Sequence, residues 1–276
     1  MPRTNLKQEF KQKSPKADIG FSKSYDIVGN IAVIDANPKH AKALAVQVME
    51  ANKNVETVLR KGGAISGRFR TRKHIYVMGK RNYVAQYKEN NCVFKVDLRK
   101  AFFSTRLAFE RQRITNVVKD GETVLVMFAG VGPFAIEIAK RNRSSRVIAV
   151  ELNKDAYNYM RENVLLNKTT NVEAVNEDVK TYSKNNNNIA DRIVMPLPMS
   201  SYDFLRSAYK SAKKRCTIHY YAFGSKDTAF EDNESLVKQY FSKMKCKTKL
   251  LGGRVVRPYS ANSIEVVVDF AIRKEE

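Results

Sequence analysis

Short apolar runs and stretches of helical spacing take turns along most of this chain. Val124 to Phe128 is an apolar run of strand length that meets Gly130-Val131-Gly132, with Pro133 directly after it. Proline suits the first helical position, where its missing N–H leaves no extra group unpaired, so a helix is predicted from there. A second apolar strand, Val147 to Val150, ends in Glu151. Asp155 to Leu166 is helical, with Ala156, Tyr159, Met160 and Val164 on one face. Val172 to Val175 is a third strand, leading to Glu177-Asp178, and Asn185 to Asn188 a polar loop. Asp191 to Met195 is a fourth strand, with Pro196 and Pro198 just past it. A helix from Phe204 to Lys213, a strand from Cys216 to Phe223 and a helix from Asn233 to Met244 follow. The chain closes on two strands, Lys247 to Arg257 and Ile264 to Ile272. This alternation predicts an α/β fold with a doubly wound, mostly parallel sheet.

Upstream the period changes. Asp26 to Ile34 reads as strand, glycine turn and strand, and Lys39 to Met49 as a helix with Ala41, Leu44, Ala45 and Val48 on its apolar side. Val55 to Leu59, Tyr76 to Met78, Tyr83 to Tyr87 and Val93 to Asp97 are strands, with Asn90-Asn91 as a turn. Residues 21–100 are therefore expected to form a small α+β domain, and residues 101–276 the larger one. Residues 1–20 are polar, basic and aperiodic, and are expected to be a flexible basic tail. Phe102 to Leu107 leads into a helix from Ala108 to about Val118, which Lys119-Asp120-Gly121-Glu122 breaks.

Composition sharpens the choice of partner. The chain has 276 residues and carries 50 Lys plus Arg against 28 Asp plus Glu, a net charge of +22 that is spread along the sequence. Such an excess points to a polyanion, and nucleic acid first. One stretch concentrates it: Gly62 to Lys73 sets Arg68, Arg70, Arg72 and Phe69 among glycines, which resembles a segment contacting phosphates or bases. Taken alone it also reads as a solvated hairpin. Cys92, Cys216 and Cys246 are isolated, as are His40, His74 and His219, so no disulfide framework or metal site is expected, and a reducing cytosol is. No apolar run reaches membrane-spanning length, and the charged N-terminus lacks the apolar core of a signal peptide.

The strand, glycine turn, helix and acid-tipped second strand from Val124 to Glu151 form a nucleoside-binding β-α-β unit, with the Glu151 carboxylate placed to grip a ribose diol. Gly130-x-Gly132-x-x-Ala135 satisfies the loose dinucleotide fingerprint, which fits NAD. S-adenosylmethionine (AdoMet) also uses a glycine-rich first turn and an acidic second-strand end. The unit by itself leaves both open.

Longer motifs narrow the field. Phe128-Ala-Gly-Val-Gly-Pro-Phe134, Ala149-Val-Glu-Leu-Asn153, Asp191-Arg-Ile-Val-Met-Pro-Leu-Pro198 and Ile218-His-Tyr-Tyr221 occur in order, preceded by Asp26-Ile-Val-Gly-Asn-Ile-Ala32 and Gly67-Arg-Phe-Arg-Thr-Arg72. Together they resemble the archaeal and eukaryotic tRNA (guanine-37-N1)-methyltransferase family, including its wyosine-pathway branch. The resemblance covers about residues 21–276. It implies a class I AdoMet methyltransferase with a Rossmann-like, seven-stranded sheet, acting as a cytoplasmic monomer on the anticodon loop of tRNA without metal or membrane.

It also implies a site. Phe128, Gly130 and Gly132 would line the methionine side of AdoMet. Glu151 would bind the ribose with Asn153 just beyond, Asp178 would flank the adenine, and Pro196 would close the pocket edge. Glu110 would be the general base and Arg70 the cation that steadies the target base, with Arg68, Arg72 and Arg106 also on RNA. Without the family, Glu110 reads as a helix-surface carboxylate pairing with Arg113 or Arg106.

Two positions depart from the family pattern: Pro196 stands where an asparagine is usual, and Val126 where an aspartate is usual. The less polar pocket edge suits a larger base. The products this implies are N1-methylguanosine, the wyosine precursor methylated at carbon 7, or both. Aminocarboxypropyl transfer from AdoMet is the alternative chemistry, and a non-catalytic RNA-binding protein the alternative class. The chain is also expected to begin after the extra N-terminal domain that many relatives carry.

Overall fold

The computed structural model describes residues 25–275, in two compact units that divide after Thr105. The expected basic tail at 1–20 lies outside the described residues.

In the first unit, β1 (Asp26–Val28) and β2 (Ile31–Ile34) form an antiparallel pair. Helix α1 (Pro38–Ala51) begins with Pro38 behind the Asn37 cap, whose side chain accepts from the Lys39 amide. Its buried stripe, Ala41, Leu44, Ala45 and Val48, packs with Ala32, Ile34 and Val58. Strands β3 (Thr57–Lys61) and β4 (His74–Gly79) complete a four-stranded sheet in the order β1-β2-β3-β4. Between β3 and β4, an isolated bridge joins Ser66 to Thr71 and closes a turn over Gly67 to Arg70. A hairpin of β5 (Val84–Glu89) and β6 (Cys92–Asp97) turns on Asn90 and Asn91, both with positive φ, as a two-residue hairpin loop requires.

The second unit starts with α2 (Ala108–Val117). Then come β7 (Thr123–Met127), α3 (Pro133–Arg141), β8 (Arg146–Val150), α4 (Lys154–Asn167), β9 (Val172–Val175) and α5 (Val179–Asn185). After β10 (Ala190–Met195) and α6 (Leu205–Ser211) follow β11 (Ala212–Ser225), α7 (Ala229–Ser242), β12 (Cys246–Pro258) and β13 (Ser263–Lys274). The seven strands lie in the order β12-β13-β11-β10-β7-β8-β9. Strands β7 to β11 run parallel, and β13 is antiparallel between β11 and β12.

Alternate residues of each strand feed two cores. Leu125, Met127, Ile193, Met195 and Ile218 pack with Val179, Leu205, Val237 and Phe241 from α5, α6 and α7. Val124, Val126, Val194 and Tyr221 pack with Ile114, Phe134 and Met160 from α2, α3 and α4. Burial on both faces is why these strands read as continuous apolar runs. Val126 is fully buried in the second core and pairs with Ala149 and Val194.

Two helix boundaries and one additional helix differ from the sequence expectation. The helix expected to reach Lys213 ends at Ser211, because Ala212 already pairs with Ala190 in the sheet. The helix expected from Asn233 begins at Ala229. Helix α5 was not expected; its seven residues show only Val179 and Tyr182 as an apolar pair, with the Asp178 carboxylate capping the Lys180 amide.

Candidate active site

The order of strands reverses at β7, which lies between β8 and β10. Ligands of open α/β sheets bind at the C-terminal ends of the strands at such a switch point. At that end of β7 the chain bends sharply. Phe128 has φ 55°, a left-handed conformation that is uncommon for a bulky residue and tends to persist where structure over-determines it. Gly130 and Gly132 have φ 58° and 89°. At Gly132 the left-handed φ strains any other residue, and a Cβ would lie 2.9 Å from Met160 Cγ and 3.0 Å from Ile136 Cδ1, so a side chain there would also push on α4 and α3.

Glu151 ties the turn to the end of β8. Its Oε2 accepts from the Gly130 amide and its Oε1 from the Asn153 amide, each at 2.7 Å. Each oxygen keeps further lone-pair capacity, so the pair fits a ribose diol as a second set of donors. Burial raises the Glu151 pKa, while the amides of Asn153 and Gly130 oppose that rise. Asn176 donates to the Glu151 and Leu152 carbonyls and so joins the ends of β9 and β8. Asn163 reaches from α4 to the Val131 carbonyl at 3.0 Å.

The expected cofactor residues divide by what they touch. Phe128, Gly130, Glu151 and Asn153 come together at the ends of β7 and β8. The Asn153 side chain caps α4 through the Asp155 amide at 3.0 Å. Asp178 caps α5 beside the end of β9. Pro196 is half-buried after β10, and the Leu197 amide behind it bonds to the Met195 carbonyl. Phe128 packs edge-on against Phe204, with ring centroids 4.6 Å apart, and Lys180 Nζ lies 4.9 Å above the Phe204 ring.

Glu110 is 2 % exposed, so it is not the helix-surface carboxylate its sequence position allows. Arg113, one of the two expected pairing partners, donates to it through Nε and Nη2. The buried Tyr221 hydroxyl donates to Oε1 at 2.7 Å. Arg254 Nε stands 3.7 Å from Oε2, the less engaged oxygen. The Tyr221 ring meets Phe134, on the first turn of α3, at 6.0 Å. Tyr221 and Phe134 thus link Glu110 to the first turn of α3, which follows the glycine turn.

From Glu110 a buried polar chain crosses the sheet. Arg113 Nη1 donates to Asp269 at 2.6 Å. His219 bridges Asp269, 2.6 Å from Nδ1, and Arg192, 2.8 Å from Nε2. A carboxylate only accepts and a guanidinium only donates, so His219 is held neutral with its proton on Nδ1. Burial drives the His219 pKa down in the same direction. Arg192 continues to Glu122 at 2.7 and 3.0 Å. Despite burial, His219 and Arg113 hold the Asp269 pKa down at about 2.

In the first unit, Arg70 sits at the Ser66–Thr71 turn with φ 53° and its guanidinium 5.1 Å above the Phe102 ring. Arg68 and Phe69 are exposed there, and Arg72 is half-buried. Arg106, at the start of the second unit, is exposed. Among the described residues, no group of three His, Cys, Asp or Glu side chains is placed to hold a metal ion. No helix among them is long and apolar enough to cross a membrane.

The TRM5/TYW2 methyltransferase domain matches residues 85–249. The chain belongs to the TRM5/TYW2 methyltransferase family. A TYW2 N-terminal domain matches residues 6–82. The tRNA (guanine(37)-N(1))-methyltransferase Trm5b of Pyrococcus abyssi is 35 % identical over 97 % of this chain and 78 % of its own. The tRNA 4-demethylwyosine(37)-methyltransferase Taw21 of Saccharolobus solfataricus is 30 % identical over 96 % of this chain and 98 % of its own. A tRNA(Phe) (4-demethylwyosine(37)-C(7)) aminocarboxypropyltransferase of Methanocaldococcus jannaschii is 32 % identical over 74 % of this chain and 81 % of its own. Among solved structures, the complex of aTrm5 with tRNALeu superposes with a TM-score of 0.81 at 26 % identity, covering 98 % of this chain and 79 % of that one. The M. jannaschii TYW2 complex with AdoMet gives 0.73 at 25 % identity, covering 91 % and 100 %. The class I methyltransferase fold, rather than a dinucleotide-binding one, therefore carries the glycine turn of this TRM5/TYW2 member.

Proposed function

We propose that this chain transfers the methyl group of AdoMet to the base at position 37 of tRNA, in the cytoplasm. The observation that carries the reading is the glycine turn tied to Glu151 at the switch point, in a member of the TRM5/TYW2 family. Glu151 holds the ribose, Phe128, Gly130 and Gly132 line the methionine side, and Asp178 with Asn153 frames the nucleoside. Pro196 forms the pocket edge. AdoMet supplies a sulfonium whose methyl group is already activated.

The remaining chemistry falls to side chains. Guanine N1 carries a proton at neutral pH, which a carboxylate within hydrogen-bond reach can remove as the new bond forms. Glu110 is assigned that role, through Oε2, the oxygen with fewer donors on it. Arg70 is assigned to the negative charge developing on the base. Arg68, Arg72 and Arg106 are assigned to RNA phosphates, and the base leaves its stack to react, which an already strained loop makes easier.

Two acceptors fit: N1 of guanosine 37, and carbon 7 of the tricyclic wyosine precursor. Pro196 offers no donor to a guanine edge, which favours the tricycle. The match to a TYW2 N-terminal domain favours a second chemistry, transfer of the aminocarboxypropyl group. Mass spectrometry of position 37 tests all three, after incubation with AdoMet and either unmodified tRNA or tRNA bearing the precursor. An added methyl mass supports the proposal, an aminocarboxypropyl mass the second chemistry. No added mass on either substrate overturns both.

A further inference from the structure

The second unit carries another charged surface, at the end of the sheet opposite the glycine turn. Lys119 to Glu122 lead into β7 there, and β10 and β11 begin beside them. Together with the last residues of β13 and the first of β12 they bound an open cleft of about 740 Å³. Its cations are Lys119, Lys213, Arg215, Lys247, Lys249 and Arg273. The carboxylates of the cleft are already engaged: Asp191 by Lys213, Glu122 by Arg192, and Asp120 by the Ser144 hydroxyl. Lys247 pairs with Glu275. Among the described residues, Lys119, Arg215, Lys249 and Arg273 have no carboxylate partner.

The register makes this arrangement costly. Arg273 on β13 lies directly opposite Arg215 on β11 and directly opposite Lys247 on β12. Two residues along, Lys249 and Thr217 flank Ala271 on the same face. Like charges facing each other across strands destabilise a sheet. A row of three cations over adjacent strands is relieved when an anion lies across it. Arg215, Lys247, Lys249 and Arg273 are all exposed, and the row is spread over about 10 Å at ordinary strand spacing. That shape suits a run of phosphates better than one small anion.

We propose that this cleft binds the sugar–phosphate backbone of the RNA substrate, at a second place remote from the reacting base. The proposal rests on the RNA reading above. Tyr221 lies six positions after Arg215 along β11, about 20 Å of strand. The cleft holds a stem of the RNA while the reacting base is occupied at the other end of the strands.

The test measures the affinity of full-length tRNA transcript by fluorescence anisotropy between about 50 and 200 mM salt. Wild type is compared with the triple variant R215Q/K249Q/R273Q and with K249E, a single change at an exposed edge-strand position that is readily tolerated. Calorimetric AdoMet binding checks that each variant is folded. Losing three phosphate contacts lowers the slope of log K against log salt by about 2 to 3, and weakens binding at low salt at least about tenfold. K249E gives a smaller change in the same direction. Unchanged affinity and slope with AdoMet binding intact overturn the cleft assignment and leave the position-37 reading standing. Unchanged tRNA binding with lost binding of polyglutamate assigns the cleft to an acidic protein and likewise overturns it. Weakened RNA binding in the variants, with wild type adding no mass at position 37, supports the cleft and removes the reading of the reaction.

Discussion

The hydroxyl of Tyr221 donates to the Glu110 carboxylate at 2.7 Å, inside the core. This bond fixes one oxygen of the proposed base, while Arg113 spans both. Tyr221→Phe removes the donor and leaves the ring against Phe134. The variant is expected to lose about 1.5–3 kcal/mol of stability, the usual worth of a hydrogen bond to a charged group. Its single-turnover rate also falls, because the remaining donors no longer hold Oε2 in one direction. Urea denaturation and rapid-quench kinetics read the two effects; a rate equal to wild type separates Tyr221 from the chemistry.

Glu110→Gln keeps the shape and removes the base. Turnover is expected to fall about 10²–10⁴-fold, the usual effect of losing a general base. AdoMet and tRNA affinities stay close to wild type. A single-turnover rate within a few-fold of wild type would assign the base elsewhere.

Glu151 does two things, so its loss shows twice. Glu151→Ala removes the acceptor for the ribose hydroxyls, at roughly 1.5–3 kcal/mol per charge-assisted bond. It also frees the Gly130 and Asn153 amides that the carboxylate now holds. AdoMet affinity measured by calorimetry is expected to drop accordingly, and unchanged affinity would remove Glu151 from the cofactor site.

Stability is expected to decline in acid in two stages. His219 is held neutral, with its folded pKa below the ordinary value of 6.5. Its contribution is present above that pH and is lost as pH falls below it, because the unfolded chain takes up the proton first. Asp269 adds a second loss between its ordinary pKa of 3.8 and its folded value of about 2. In the His219→Asn variant the first stage disappears and the second shrinks to the part that Arg113 holds. Denaturant midpoints between pH 8 and pH 2 check this; a wild-type curve flat through pH 6 contradicts it.

Pro196→Asn is expected to raise N1 methylation of plain guanosine 37 relative to methylation of the tricycle. Asparagine can donate to and accept from a guanine edge, whereas proline offers only its carbonyl. Discrimination follows from which polar groups the bound base leaves unpaired. The ratio of initial rates on the two tRNA substrates is the readout. A ratio that stays put makes Pro196 a strand-end residue alone.

The glycine turn and the acidic tip of β8 could be read from sequence because their signals are local. A strand, two glycines, a proline and an acid describe a bend whatever the rest of the chain does. The state of Glu110 could not be read that way. Its α2 neighbours suggest a surface pair with Arg113, yet Tyr221 reaches it from 111 residues further along and Asp269 holds Arg113 from a distant strand. His219 is isolated in sequence and looks like a lone histidine; its partners Arg192 and Asp269 lie on neighbouring strands. The cation row at Arg215, Lys247 and Arg273 is likewise invisible until the strands are set side by side. Helix α5 is hard to read because seven residues carry too little periodicity, and the start of β11 at Ala212 is hidden because Ala212 and Lys213 also continue the preceding helical pattern.

The polar chain from Tyr221 to Glu122 also shapes how this domain can change over generations. Each member satisfies the next, so the first substitution strands a buried charge and is severe, whereas a second substitution beside it removes the stranded group. Single-site scans would therefore score Arg192, His219, Asp269 and Arg113 as separately indispensable, and their summed penalties would exceed the real worth of the set. Paired variants would reveal strong epistasis between positions that share no contact. A lineage that replaced the whole set by well-packed apolar residues could keep the fold, and it would have to find a new way to hold Glu110.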